Sequence, residues 1–115
     1  MKEFNIALTD KVIKPYLDGK TYLDVSNENE AIGIAGGYWL ATKKRANVYI
    51  SADGFCNALN FFTSWVMPEG IEMNIYISSG RTEPPHIVMT EVLPELLELL
   101  NYDTKKILIE VIYKK

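Results

Sequence analysis

Apolar residues in this chain fall into short runs, separated by polar stretches that contain glycine, proline, asparagine or aspartate. Residues 4–8 alternate apolar and polar before turning apolar, which predicts a first strand. Residues 9–17, with an N-cap at their start and spaced apolar positions, predict a short helix ended by Asp18 and Gly19. Residues 21–25, 47–51, 72–77 and 107–112 read as further strands. A turn at Asp53 and Gly54 is expected to precede a helix over 58–66, whose Leu59, Phe62 and Val66 share one face. Leu93, Leu96, Leu97 and Leu100 mark another helix, with Pro94 placed in its first turn. Strands this apolar, alternating with helices, predict one α/β domain over residues 1–115: three layers, a mostly parallel sheet of about five strands, and helices on both faces.

The most informative stretch is residues 26–41, which begins polar and acidic and then carries no charge until Lys43. Asn27 is placed to cap a helix, Glu30 to reach back in a capping-box manner, and Glu28 to sit in the first turn, where the helix dipole favours a carboxylate. A helix apolar all round must be covered on both sides. A sheet accounts for one side, and the other calls for a partner. Gly33, Gly36 and Gly37 each cost about 1 kcal/mol relative to alanine in a helix interior. Gly33 and Gly37 stand on one face, so a close approach by another backbone or a flat ligand is expected there.

Composition narrows the chemistry. With 115 residues, 48% hydrophobic and 23% charged, the chain suits a single globular domain with a substantial core. A net charge of −3 with scattered lysines argues against a nucleic-acid partner, which needs a concentrated basic surface. Lys43, Lys44 and Arg45 suit a helix C-terminus instead. Cys56 and His86 are each the only residue of their kind, so an internal disulfide, a multi-histidine metal site and a catalytic triad are all excluded within one chain. No stretch is long and apolar enough for a bilayer and the N-terminus is not a signal peptide, so a cytoplasmic location is expected.

Glu28 followed by Ala31, Ala35, Gly37 and Tyr38 resembles the helix that bears the activating glutamate in the pyrimidine-binding domain of thiamine-diphosphate-dependent decarboxylases. Residues 48–60 resemble the strand and Gly-rich, Asn-containing turn that follow in phosphonopyruvate and sulfopyruvate decarboxylases. Residues 64–80, 83–86 and 93–100 continue the similarity in the same order, in a shortened form.

The resemblance implies that Glu28 hydrogen-bonds the ring nitrogen of the cofactor's aminopyrimidine, with Gly54 and Asn57 beside it as cofactor-binding residues. Arg81 and His86 would meet a phosphonate or sulfonate and assist proton transfer, since a guanidinium forks onto such oxyanions and an imidazole titrates near neutrality. The cofactor's diphosphate and Mg2+ would be held by a separate diphosphate-binding subunit, and a homodimer through the Gly33 and Gly37 helix face is a further expectation. Read from the residues alone, Glu28 is a surface carboxylate complementing the dipole, Glu30 a capping residue, Asn57 a helix cap and Cys56 a small buried side chain. A non-catalytic remnant of the same fold, acting as a binding module, is the alternative function. A flavodoxin-like nucleotide binder is disfavoured, because no phosphate-cradling glycine turn follows the first strand.

Overall fold

The computed structural model describes residues 3–80, 87–100 and 106–113. Five strands, β1 (Asn5–Ala7), β2 (Leu23–Asp24), β3 (Asn47–Ser51), β4 (Met73–Ser78) and β5 (Ile107–Ile112), form one sheet in the order β2-β1-β3-β4-β5. All four neighbouring pairs are parallel. The helices are α1 (Glu28–Thr42), α2 (Ala52–Asn57), α3 (Leu59–Phe61) and α4 (Ile87–Leu100), with a 3-10 turn at Lys14–Leu17 and a π-helical turn at Phe62–Val66.

The alternation of side chains along each strand divides the core in two. On one face Ile6, Val48, Ile50, Ile75 and Ile77 pack with Ala31, Ile32 and Ala35 of α1, Phe55 of α2 and Leu93 of α4. On the other face Ala7, Tyr49 and Ile112 meet Ile13 and Leu17 from the β1–β2 connection. Right-handed crossovers explain the asymmetry: the one connection that runs leftward, β1 to β2, falls on the second face, and the three that run rightward share the first. Among the described residues the second face is thus covered by the β1–β2 connection, and the helix expected over residues 9–17 is reduced to Lys14–Leu17 with Pro15 in its first turn.

Three asparagines stand in register on that second face, Asn5 beside Asn47 beside Asn74. The Asn74 amide donates to Asn47 Oδ1 at 3.0 Å, Asn47 donates to Asn5 Oδ1 at 3.0 Å, and Asn5 donates to the Thr21 carbonyl at 3.1 Å. Arg45 closes the row by donating to Asn74 Oδ1 at 3.3 Å. Asn5 and Asn47 are buried and Asn74 partly so, and each amide satisfies the next, so three polar side chains cross the sheet without an orphaned group. One rung further, Tyr49 and Tyr76 stack at 4.7 Å.

Two helix boundaries differ from the sequence expectation. Asp53 and Gly54 lie inside α2 rather than in a turn, because Ser51 ends β3 and caps the helix at once, its Oγ accepting from the Gly54 N–H at 3.0 Å. Pro94 lies in the middle of α4 and not in its first turn, because the helix begins at Ile87, six residues before the leucine pattern starts at Leu93. Proline there removes one N–H from the helix interior, and the buried Leu93 beside it ties α4 to the core.

Candidate functional site

In an open parallel sheet the loops that leave the carboxyl ends of the strands share one edge, and ligands bind there near the point where strand order reverses. Here that point lies between β1 and β3. The segments that leave this edge include Leu8 to Asp10 after β1, Val25 to Glu28 after β2, Ser51 and the start of α2 after β3, and Ser78 to Gly80 after β4.

Glu28 is the first residue of α1 and is half-buried. Asn27 caps the helix, its side chain accepting from the Glu30 N–H at 2.9 Å. Glu30 turns back as expected but reaches one residue further: its Oε1 accepts from the N–H and the hydroxyl of Ser26 at 2.8 and 3.1 Å. Glu30 is therefore engaged in holding the helix start. Glu28 points instead at the first turn of α2. A Cβ built on Gly54 would lie 2.5 Å from Glu28 Cγ, 2.6 Å from its Oε1 and 2.9 Å from its Cδ, so only glycine admits the Glu28 side chain in this position. No hydrogen bond or ion pair to Glu28 is present among the described residues. The result is a half-buried carboxylate, fixed by packing and with its oxygens available.

The same edge holds a second polar pair that sequence reasoning did not single out. Asp10 Oδ1 accepts from the Val12 and Ile13 N–H groups at 2.9 and 2.8 Å, and Oδ2 accepts from the Ser78 hydroxyl at 2.6 Å. Asp10 thus caps the β1–β2 connection and braces β4, with Ser78 and its neighbour Ser79 both buried. An aspartate directly after a strand was visible in the sequence, but its reach to β4 depends on strand order.

Of the other residues implied by the resemblance, Gly54 is brought against Glu28, whereas Asn57 is the exposed last residue of α2 and the cap of that helix is Ser51. Arg81 and His86 lie outside the described residues. Cys56 is partly buried with its sulfur 3.4 Å from that of Met89. Burial, and then the nearby Asp53 charge, push its thiol above the ordinary value, so it is protonated at neutral pH and is a poor nucleophile.

Of the glycines expected on one open helix face, Gly33 is in contact with the Phe61 ring at 3.6 Å, and Gly37 is exposed with nothing within 4 Å of a Cβ placed there. The close approach belongs to Gly36, where such a Cβ would stand 2.5 Å from the Trp65 indole. Trp65 sits in the π-helical turn, marked by the bond from the Met67 N–H to the Phe62 carbonyl, and stacks on Phe61 at 4.9 Å.

No protein-family model matches the chain, and no curated protein matches it. Its architecture, an α/β domain with a five-stranded all-parallel sheet, stands on the structure itself. Among the described residues no helix is long and apolar enough to cross a membrane, and no group of three His, Cys, Asp or Glu side chains is placed to hold a metal ion. A shallow depression of about 260 Å³ lined by Glu3, Asn5, Gly19, Lys20 and Thr21 lies at the amino end of β1, away from Glu28.

Proposed function

We propose that this chain is the pyrimidine-binding subunit of a heteromeric thiamine-diphosphate-dependent decarboxylase acting on a short 2-oxo acid of the phosphonopyruvate or sulfopyruvate type. The observation that carries the reading is Glu28: a half-buried carboxylate at the carboxyl edge of a parallel sheet, packed over Gly54 and left without a hydrogen-bond partner among the described residues. A carboxyl group so held suits the ring nitrogen of an aminopyrimidine, to which it can donate or from which it can accept one proton. When bound, thiamine diphosphate supplies the nucleophilic carbon that makes loss of carbon dioxide from a 2-oxo acid possible. Glu28 would orient the pyrimidine and exchange the proton at its oxygen. Gly54 keeps that side chain in place by having none of its own. Arg81 and His86 keep the substrate roles that the resemblance implies.

Diphosphate and Mg2+ would be bound by a separate subunit, and the surface of α1 supports an assembly of this kind. Residues 31–42 and 54–68 contain no charged residue, and the helices they form touch each other at Gly33 with Phe61 and Gly36 with Trp65. Leu40, half exposed, and the open Gly37 lie on the same helix. Helices without charged side chains are what the core of a protein interface uses, because no ion must be stripped of water when it closes. A diphosphate-binding subunit, or a second copy of this chain, would meet it at Gly37.

A second reading is a non-catalytic binding module of the same fold, favoured by the exposed position of Asn57 at the last residue of α2. Reconstitution separates the two. The chain is co-expressed with a candidate diphosphate-binding subunit, and 2-oxo acid turnover is compared with that of Glu28→Gln. The near-isosteric change should leave assembly intact and lower turnover by about 10²–10⁴-fold, the usual cost of one positioned proton-transfer group. An active complex indifferent to Glu28→Gln removes the first reading. Absence of thiamine-diphosphate binding by calorimetry, with and without partners, supports the second.

A further inference from the structure

Helix α4 turns an apolar stripe to solvent. Leu93 is its one buried residue, yet Val88 is 62% and Leu99 82% exposed, and Val92 is exposed between them. At 100° per residue Val88, Val92 and Leu99 fall within one narrow arc of the helix. Glu91, Glu95 and Glu98 fall together on one flank of that arc, at the i, i+4, i+7 spacing that places side chains in a single row. No lysine or arginine occurs anywhere in residues 87–100, and neither ion pair among the described residues involves the three glutamates. Like charges four apart repel by about 0.2–0.5 kcal/mol per pair, so the row is locally unfavourable as it stands.

We infer that α4 is a docking surface for an amphipathic helix of another protein whose apolar face is bordered by lysine or arginine. The stripe supplies the apolar contact, and the carboxylate row sets the sign of the partner. A second copy of α4 would bring glutamates against glutamates, and an anionic lipid surface would be repelled by the same row. Four turns of helix make a small contact, below the area of stable complexes, so binding is reversible and sensitive to salt. The surface belongs to α4 and does not use Glu28, so it stands or falls apart from the decarboxylase reading.

The test uses two synthetic helical peptides with the same leucine positions, one flanked by lysines and the other by glutamates, titrated into the intact chain and followed by amide NMR and fluorescence anisotropy. The lysine peptide should bind, shift resonances of α4 and lose affinity as salt is raised. The glutamate peptide should bind at least about tenfold more weakly, a difference of about 1.4 kcal/mol. Joint replacement Glu91→Lys, Glu95→Lys and Glu98→Lys should reverse the preference. Leu99→Asp should weaken both, with circular dichroism unchanged because the side chain is already in solvent. Equal binding of both peptides, no binding at millimolar peptide, self-association abolished by Leu99→Asp, or uptake onto phosphatidylserine vesicles through this face would each overturn the proposal.

Discussion

The contact between Glu28 and Gly54 can be measured without any knowledge of ligand or partner. Gly54 has an ordinary helical backbone in α2, so in open surroundings Gly54→Ala would stabilise by roughly 0.5–1 kcal/mol through the lower entropy of the unfolded chain. Here the new methyl group would lie 2.5 Å from Glu28 Cγ, well inside the 3.5–4.0 Å of normal carbon contact. Glu28 has rotatable bonds and a half-exposed end, so it swings away while the backbone stays. The cost is the lost packing and a less favoured rotamer, about 0.5–1.5 kcal/mol. The two effects nearly cancel, and Gly54→Ala alone should change stability by less than about 1 kcal/mol. In a Glu28→Ala background the obstruction is gone and the same substitution should stabilise by about 0.5–1 kcal/mol. Urea denaturation of the four proteins would therefore give a coupling energy of about 1 kcal/mol, with carbon-detected NMR reporting the displaced Glu28 carboxyl. Additivity within about 0.5 kcal/mol would refute the reasoning, since independent sites add to that precision.

The glycines of α1 should respond in opposite senses. Gly36→Ala drives a methyl into the Trp65 indole, which is held against Phe61, and should destabilise by about 1–3 kcal/mol, whereas Gly37→Ala meets open space and should stabilise by about 0.5–1 kcal/mol in thermal melts. Asn47→Ala interrupts the amide row and takes the acceptor from the Asn74 amide and the donor from Asn5 Oδ1, a loss of about 2–3 kcal/mol by urea denaturation; an unchanged midpoint would show that the row contributes nothing. Burial first, then Tyr49 and Glu110, raise the Tyr76 phenol above its ordinary value of 10.0. The protonated form is favoured by folding, so this contribution is complete below about pH 10 and is lost as pH rises through the folded value. Tyr76→Phe should flatten the alkaline fall in stability, and an identical slope in both proteins would count against the assignment.

Strand identity was readable wherever the apolar period was clear. Residues 47–51 and 107–112 are strands over the expected spans, because β3 is central and β5 is apolar at every position but Glu110. The connections were harder. Residues 9–17 carry apolar positions that suit a helix, yet a two-stranded edge excursion from β1 to β2 needs only a 3-10 turn to bury Ile13 and Leu17. The Asp53-Gly54 pair looked like a turn because those residues favour turns, but Ser51 supplied a cap and Asp53 a favourable first-turn charge, and together these started a helix. The asparagine row had no local signal at all. Asn5, Asn47 and Asn74 are far apart in sequence and become neighbours only through strand order and register.

The site shows the same division between local and distant causes. Glu28 and Glu30 occupy one helical turn, and dipole arguments apply to both equally. Local geometry settles Glu30, because a side chain at the third helical position reaches the N–H groups just before the cap, and Ser26 receives it there. Nothing local settles Glu28. Its position depends on α2 beginning immediately at the end of β3, on the parallel order that sets β3 beside β1, and on the lack of a side chain at Gly54. A carboxylate held by a neighbour's missing atoms, with no hydrogen bond of its own among the described residues, contributes little to the fold that the dipole alone would not provide. The glycine opposite it is what admits the Glu28 side chain in that position.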